Sequence, residues 1–105
     1  MKMLMLLTLS TALTLGAAGA RAGDAAAGEK RYLENCVTCH GKNGKGMASF
    51  PSLAGRDANY ISDRLMKYRA KEKVGPNTAI MLSWAESLSD QDIANLAKYI
   101  STTFR

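Results

Sequence analysis

The most regular hydrophobic pattern in the chain lies near its C-terminal end, where Ile93, Leu96, Ala97 and Ile100 recur at i, i+3, i+4 and i+7 and fall on one helical face. The start of that helix is written in the residues before it. Ser89 is a good N-cap with Asp92 three positions on, a variant of the capping box, and Leu88 and Ile93 can pack as a hydrophobic staple. A second stripe, Ile61, Leu65 and Tyr68, follows the N-cap candidate Asp57, and its opposite face carries Asp63, Arg64, Lys67 and Lys71. Gly75-Pro76-Asn77 breaks the pattern. A further helix is expected from the N-cap Asp24 through Ala25, Ala26 and Ala27 to about Asn35, with Gly28, Tyr32 and Cys36 spaced four apart on one face. No alternating apolar and polar run suggests a strand. The pattern therefore predicts an all-α fold of three main helices, joined by long loops over His40 to Arg56 and Lys73 to Leu88. Loops of that length in a small domain need something to fold around.

The N-terminal residues change the picture of where this domain works. Lys2 supplies a positive start, Met3 to Leu15 is apolar apart from scattered Thr and Ser, and Ala20-Arg21-Ala22 offers small residues at a cleavage site. Residues 1–22 read as a signal peptide, because the apolar run falls short of the roughly 18 residues a spanning helix needs. The mature chain, residues 23–105, is then expected to be one soluble exported domain in the periplasm, with no stable membrane insertion. A core of that size is marginal by itself. Without Lys2 and Arg21, twelve of the fourteen basic residues remain against nine acidic ones, a net charge of +3. Lys30, Lys42, Lys45, Lys67, Lys71, Lys73 and Lys98 are spread rather than clustered, which argues against nucleic acid and for an acidic protein partner.

Both cysteines and the single histidine of the chain stand within "NCVTCH", residues 35–40. A closed zinc site needs four ligands, commonly in two separated pairs, and no further Cys or His exists to complete it. A thiol-disulfide redox pair normally opens a helix in a βαβ setting. Here the pair follows a helix, whose dipole should raise the thiolate pKa. A plain disulfide would close a tiny loop and leaves His40 without a role. Covalent haem uses every residue: Cys36 and Cys39 as thioether anchors and His40 as the proximal iron ligand. The haem would also supply the missing core.

A second axial ligand must then come from elsewhere. Met47 would have to wrap the haem edge nearly fully extended, at about 3.4 Å per residue. Met66 lies in mid-helix, where packing explains it. Met81, beyond the Gly75-Pro76-Asn77 break, can be carried over the far face by its loop. If Met81 packed without ligating, the iron would keep an open site.

The segments "GEKRYLENCVTCHGKNGKG", "FPSLAGRDANYISDRLMKY" and "MLSWAESLSDQDIANLAKYI" resemble successive blocks of class I c-type cytochromes, in particular the small bacterial monohaem c-553 type. The resemblance spans nearly the whole mature chain and implies the cytochrome c fold, with helices and loops wrapped around one covalently bound haem c. It implies that Gly28 and Tyr32 cross the last helix at Leu96 and Tyr99, that Pro51 offers its carbonyl to His40 Nδ1–H, and that Met81 is the distal ligand. Arg56 and Tyr60 match positions near haem propionates. Arg64 and Trp84 receive no role, with Trp84 expected in the core.

A His/Met iron has nowhere to bind substrate, so the expected function is one-electron transfer, without enzyme activity, by a monomer. The expected partners are redox proteins, an electron donor and an acceptor, meeting the haem edge among some of Lys42, Lys45, Lys67, Lys71, Lys73 and Lys98. The alternatives are a haem c subunit permanently associated with a periplasmic dehydrogenase, and an enzyme or sensor with an open iron.

Overall fold

The computed structural model describes residues 22–105, so the signal-peptide reading of the N-terminal segment lies outside the described residues apart from Ala22. Five helices follow in order: α1 Ala25–Asn35, α2 Val37–His40, α3 Ala58–Arg69, α4 Thr78–Ala85 and α5 Asp90–Thr103. Among the described residues no strand forms; one isolated bridge pairs Met47 with Phe50.

The three long helices are α1, α3 and α5, and each begins where a side chain caps it. Asp24 accepts from the N–H groups of Ala26 and Ala27, and Asp57 accepts from Tyr60 N–H. At α5 the Ser89 hydroxyl accepts from Asp92 N–H while the Asp92 carboxylate accepts from Ser89 N–H, each at 3.0 Å. Asp92 also takes a charged hydrogen bond from Arg31 at 3.0 Å, which ties α1 to the start of α5. The Ser89 N–H, more than Arg31, holds the Asp92 carboxyl below the usual carboxylate range. A depressed carboxylate stabilises the fold above its unfolded pKa of about 3.9, and that contribution disappears as pH falls through the folded value. Asp92→Ala is therefore expected to lose about 1 kcal/mol at pH 7 in denaturant titration, with the gap to the parent closing below about pH 4. An equal gap at pH 7 and pH 3 would contradict this account.

The fold centres on α5, which packs against both α1 and α3. All four residues of its stripe, Ile93, Leu96, Ala97 and Ile100, are buried, as are Ile61 and Leu65 of α3. Tyr32, fully buried, meets Tyr99 and Phe104 with ring centroids 5.5 and 5.2 Å apart. A polar contact joins the same helices: Asn95 Oδ1 accepts from Asp24 N–H and from Gln91 Nε2, each at 2.8 Å.

Two expectations need correction. The segment Lys73 to Leu88 is not a continuous loop, because it contains α4, and Met81 is carried by a helix. Thr78 prepares that helix: its hydroxyl accepts from the N–H groups of Val74 and Gly75 and donates to the Gly75 carbonyl. Trp84 is not core. Ala85 and Leu88 take the buried positions beside it, and Trp84 is 47 % exposed on the other side of α4.

Candidate cofactor site

The local backbone explains how Cys36, Cys39 and His40 come together. Cys36 closes α1, donating its N–H to the Tyr32 carbonyl at 2.8 Å, and its own carbonyl accepts from His40 N–H at 3.0 Å. The four-residue α2 thus restarts the helix after a break of one residue, and Gly41, at φ 84°, turns the chain out of it. That φ suits glycine because it lacks a Cβ. The buried Tyr32 hydroxyl donates to the Gly41 carbonyl, and the His40 carbonyl accepts from Gly46 N–H at 2.8 Å. Burial pushes the Tyr32 phenol above its ordinary value, so it stays a donor.

His40 is buried, with Nδ1 2.9 Å from the Pro51 carbonyl oxygen. A carbonyl can only accept, so the imidazole presents Nδ1–H to it and keeps the Nε2 lone pair. Such a contact orients a ligand histidine and makes it more basic.

Two clefts open beside this histidine. They share Cys36, His40, Pro51 and Met81. The first is also lined by Cys39, Phe50, Ile80 and Trp84; the second runs over Ile61, Leu65, Leu96 and Ile100 toward Arg56, Tyr60 and Arg64. Met47 and Met66 line neither cleft and are 53 % and 45 % exposed. Of the three methionines weighed from sequence, Met81 alone shares a cleft with His40.

Both cysteines are half-buried and form no disulfide with each other. Burial, opposed by Arg31 and aided by Cys39, pushes the Cys36 thiol up to about 11. The direction agrees with the expectation of a raised value, but the leading cause is desolvation. Cys36 and Cys39 follow α1 rather than open a long helix, and no strand forms among the described residues, so the βαβ setting usual for a redox-active pair is missing. The donor set fits an iron porphyrin instead: two thiols, an imidazole with a free Nε2, one thioether and largely aliphatic walls.

Sequence reasoning missed three features around the site. Trp84 stands in the cleft wall rather than the core. Asn77 Nδ2 donates to the Ser49 carbonyl at 3.3 Å, joining the start of α4 to the loop after α2. The guanidinium carbons of Arg56 and Arg64 lie 4.6 and 5.1 Å from the centroid of the same Tyr60 ring. The fourfold spacing of residues 56, 60 and 64 could have signalled the last of these.

Comparison with known proteins adds an independent finding. The sequence model of one family, described as "Cytochrome c", matches residues 25–104. Cytochrome c-554(548) of Halomonas halodenitrificans is 45% identical over 82 residues, covering 77% of this chain and 98% of that relative. A protein of Stutzerimonas stutzeri named "Thiosulfate dehydrogenase electron acceptor" is 36% identical over 73 residues, covering 69% of this chain and 34% of that relative. The crystal structure of reduced recombinant cytochrome c4 from Pseudomonas stutzeri superimposes with a TM-score of 0.65 at 33% identity, over 77% of this chain and 51% of that one.

Proposed function

The chain belongs to the cytochrome c family, electron-transfer proteins with covalently attached haem c, and on that premise we propose that it is a periplasmic one-electron carrier whose iron is held by His40 and Met81. The observation that carries this reading is the first cleft, whose wall brings together Cys36, Cys39, His40, Pro51 and Met81. Cys36 and Cys39 anchor the haem. Pro51 holds His40 in the tautomer that leaves Nε2 for the iron, and Met81 on α4 supplies a thioether that favours the reduced state. Bound there, the haem supplies reversible Fe(III)/Fe(II) chemistry. A filled ligand set has no position for substrate, and this supports a carrier without enzyme activity.

Redox proteins with an acidic docking face suit the basic surface next to the clefts. Lys42 and Lys45 sit in the turn after His40, and Lys71 and Lys73 line a shallow depression beside α4. Lys67 is already paired with Asp63 at 2.9 Å, and Lys98 lies on α5 against Gly23, so these two contribute less. A second reading, a haem c subunit permanently associated with a periplasmic dehydrogenase, draws on the relative named as the electron acceptor of a thiosulfate dehydrogenase.

The test is a pyridine haemochrome spectrum of the exported protein after acid–acetone extraction. The parent is expected to keep one haem per chain and Cys36→Ser/Cys39→Ser to release all of it. A parent that gave up its haem to the solvent would overturn the reading. Co-elution of the native protein with a large dehydrogenase would favour the subunit.

A further inference from the structure

We propose that Asn77 and the Ser49 carbonyl form a clasp that keeps α4 closed over the cleft and so sets how often Met81 leaves the iron, an inference that rests on the His40/Met81 reading above. A polar residue just before a helix ordinarily turns its side chain onto the helix's own first N–H groups. Asn77 does not: its Nδ2 donates to the Ser49 carbonyl at 3.3 Å, 28 residues back along the chain. The turn before α4 is tied instead by the buried Thr78, whose hydroxyl accepts from the N–H groups of Val74 and Gly75. Met81 stands four residues beyond Asn77, about one helical turn, and both residues line the first cleft. Asn77 is thus a positioning residue, acting on the iron only through the helix that carries Met81.

The two sides of the clasp differ in how firmly they are held. Ser49 lies at the tip of a hairpin in which Met47 N–H donates to the Phe50 carbonyl at 3.2 Å and Phe50 N–H to the Met47 carbonyl at 2.8 Å. Ala48, beside it, lies at φ 48°, a conformation that a residue with a Cβ keeps only where its neighbours enforce it. The hairpin is fixed to His40 at both ends, because Gly46 N–H donates to the His40 carbonyl and the Pro51 carbonyl accepts from His40 Nδ1–H. The Ser49 carbonyl is therefore a rigid extension of the proximal side.

α4 has less support. Among the other helices only α3 packs substantially against it. Among the described residues, every other hydrogen bond of the segment 73–87 goes to a near neighbour along the chain. The Asn77 amide alone joins the wall that carries Met81 to the wall that carries His40. For Met81 to swing out with α4, that bond must break, so the clasp disfavours the open state by the net worth of one hydrogen bond.

The test is the binding of imidazole to the ferric holoprotein by stopped flow at pH 7, for the parent, Asn77→Ala, Asn77→Asp and Ser83→Ala. At saturating imidazole the observed rate is limited by the opening of Met81. Asn77→Ala should raise that limiting rate about two- to tenfold, the range that one hydrogen bond spans. Asn77→Asp should raise it at least as much, since a carboxylate of the same shape has no proton to donate to a carbonyl. The charge at position 77 would favour the start of α4. A residue that served only to begin the helix would therefore leave the Asp variant at or below the parent rate. Both variants should keep the far-red thioether-to-iron band in the cold and lose it at a lower temperature than the parent. Ser83→Ala, which removes a hydroxyl bonded to the Ile80 carbonyl within α4, should match the parent throughout. If Asn77→Ala does not accumulate, Asn77→Asp carries the test alone. Parent-like limiting rates in the Ala and Asp variants would overturn the clasp and leave the axial pair intact. A faster Ala variant with a parent-like Asp variant would overturn it too, assigning Asn77 to the start of the helix. A ferric parent without the far-red band would overturn the His40/Met81 reading and the clasp with it.

Discussion

Gly28→Ala is expected to destabilise the protein by about 3 kcal/mol, although helix propensity alone would have the substitution stabilise α1 by up to ~1 kcal/mol. A Cβ at position 28 would lie 2.0 Å from the Asn95 carbonyl oxygen, 2.6 Å from its carbon and 2.8 Å from Tyr99 Cβ. Two of these atoms are α5 backbone and cannot rotate away. The helices would have to separate, loosening the stack of Tyr32 on Tyr99 and Phe104 and the hydrogen bond from Tyr32 that sets the turn after His40. For a domain whose total stability is about 5–15 kcal/mol, such a loss is large. Guanidinium titration of the holoprotein, followed by both far-ultraviolet and visible absorption, measures it. A Gly28→Ala protein as stable as the parent would show that the α1–α5 approach is less tight than the geometry states.

The same crossing shows what the sequence made legible. Its helix ends and its stripe were readable because each leaves a local mark, a capping residue or a 3.6-residue period, whereas the part Gly28 plays in the crossing came from the family resemblance. Gly23, whose Cβ would meet the Ala94 carbonyl oxygen at 2.1 Å, was not readable, since it precedes the helix and no period includes it. Phe104, four residues past Ile100, continues the α5 stripe and was overlooked; it fills the space beside Tyr32 and under Gly44.

The helix α4 was hidden by its composition. Ala79, Ile80, Met81, Leu82, Trp84 and Ala85 are apolar around most of the helix circumference, so no polar face betrays a period. The start signal was also disguised. Asn77 does not cap α4 with its side chain but spends its amide on Ser49, and Thr78 ties off the preceding turn. The physical reason for that composition explains Trp84 as well. One side of α4 must complete the core through Ala85, while the other must wall a cleft, so both sides are apolar for different purposes. Of the site, Cys36, Cys39 and His40 were plain from their spacing. The Arg56–Tyr60–Arg64 stack left only its fourfold spacing as a mark, and its contacts needed three dimensions.

Met81→Ala should convert a closed carrier into a protein whose iron accepts external ligands. Alanine is the best helix former, so α4 should persist through the substitution, and the change is confined to the cleft wall. Losing a partly buried methionine costs about 2–5 kcal/mol in packing, which the covalent anchors at Cys36 and Cys39 make tolerable for retention of the cofactor. Three readouts should move together. The far-red band of thioether-to-iron absorption should vanish from the ferric spectrum. Imidazole or cyanide should bind rapidly where the parent resists. The midpoint potential should fall by on the order of a quarter of the ~0.8 V range that axial ligands span, because the thioether no longer favours Fe(II). Met47→Ala and Met66→Ala serve as controls. Both side chains are half-exposed and outside the clefts, so their spectra and potentials should match the parent. If Met81→Ala kept the far-red band and the parent potential, Met81 would be a packing residue, and the closed-carrier reading would give way to an open-iron site.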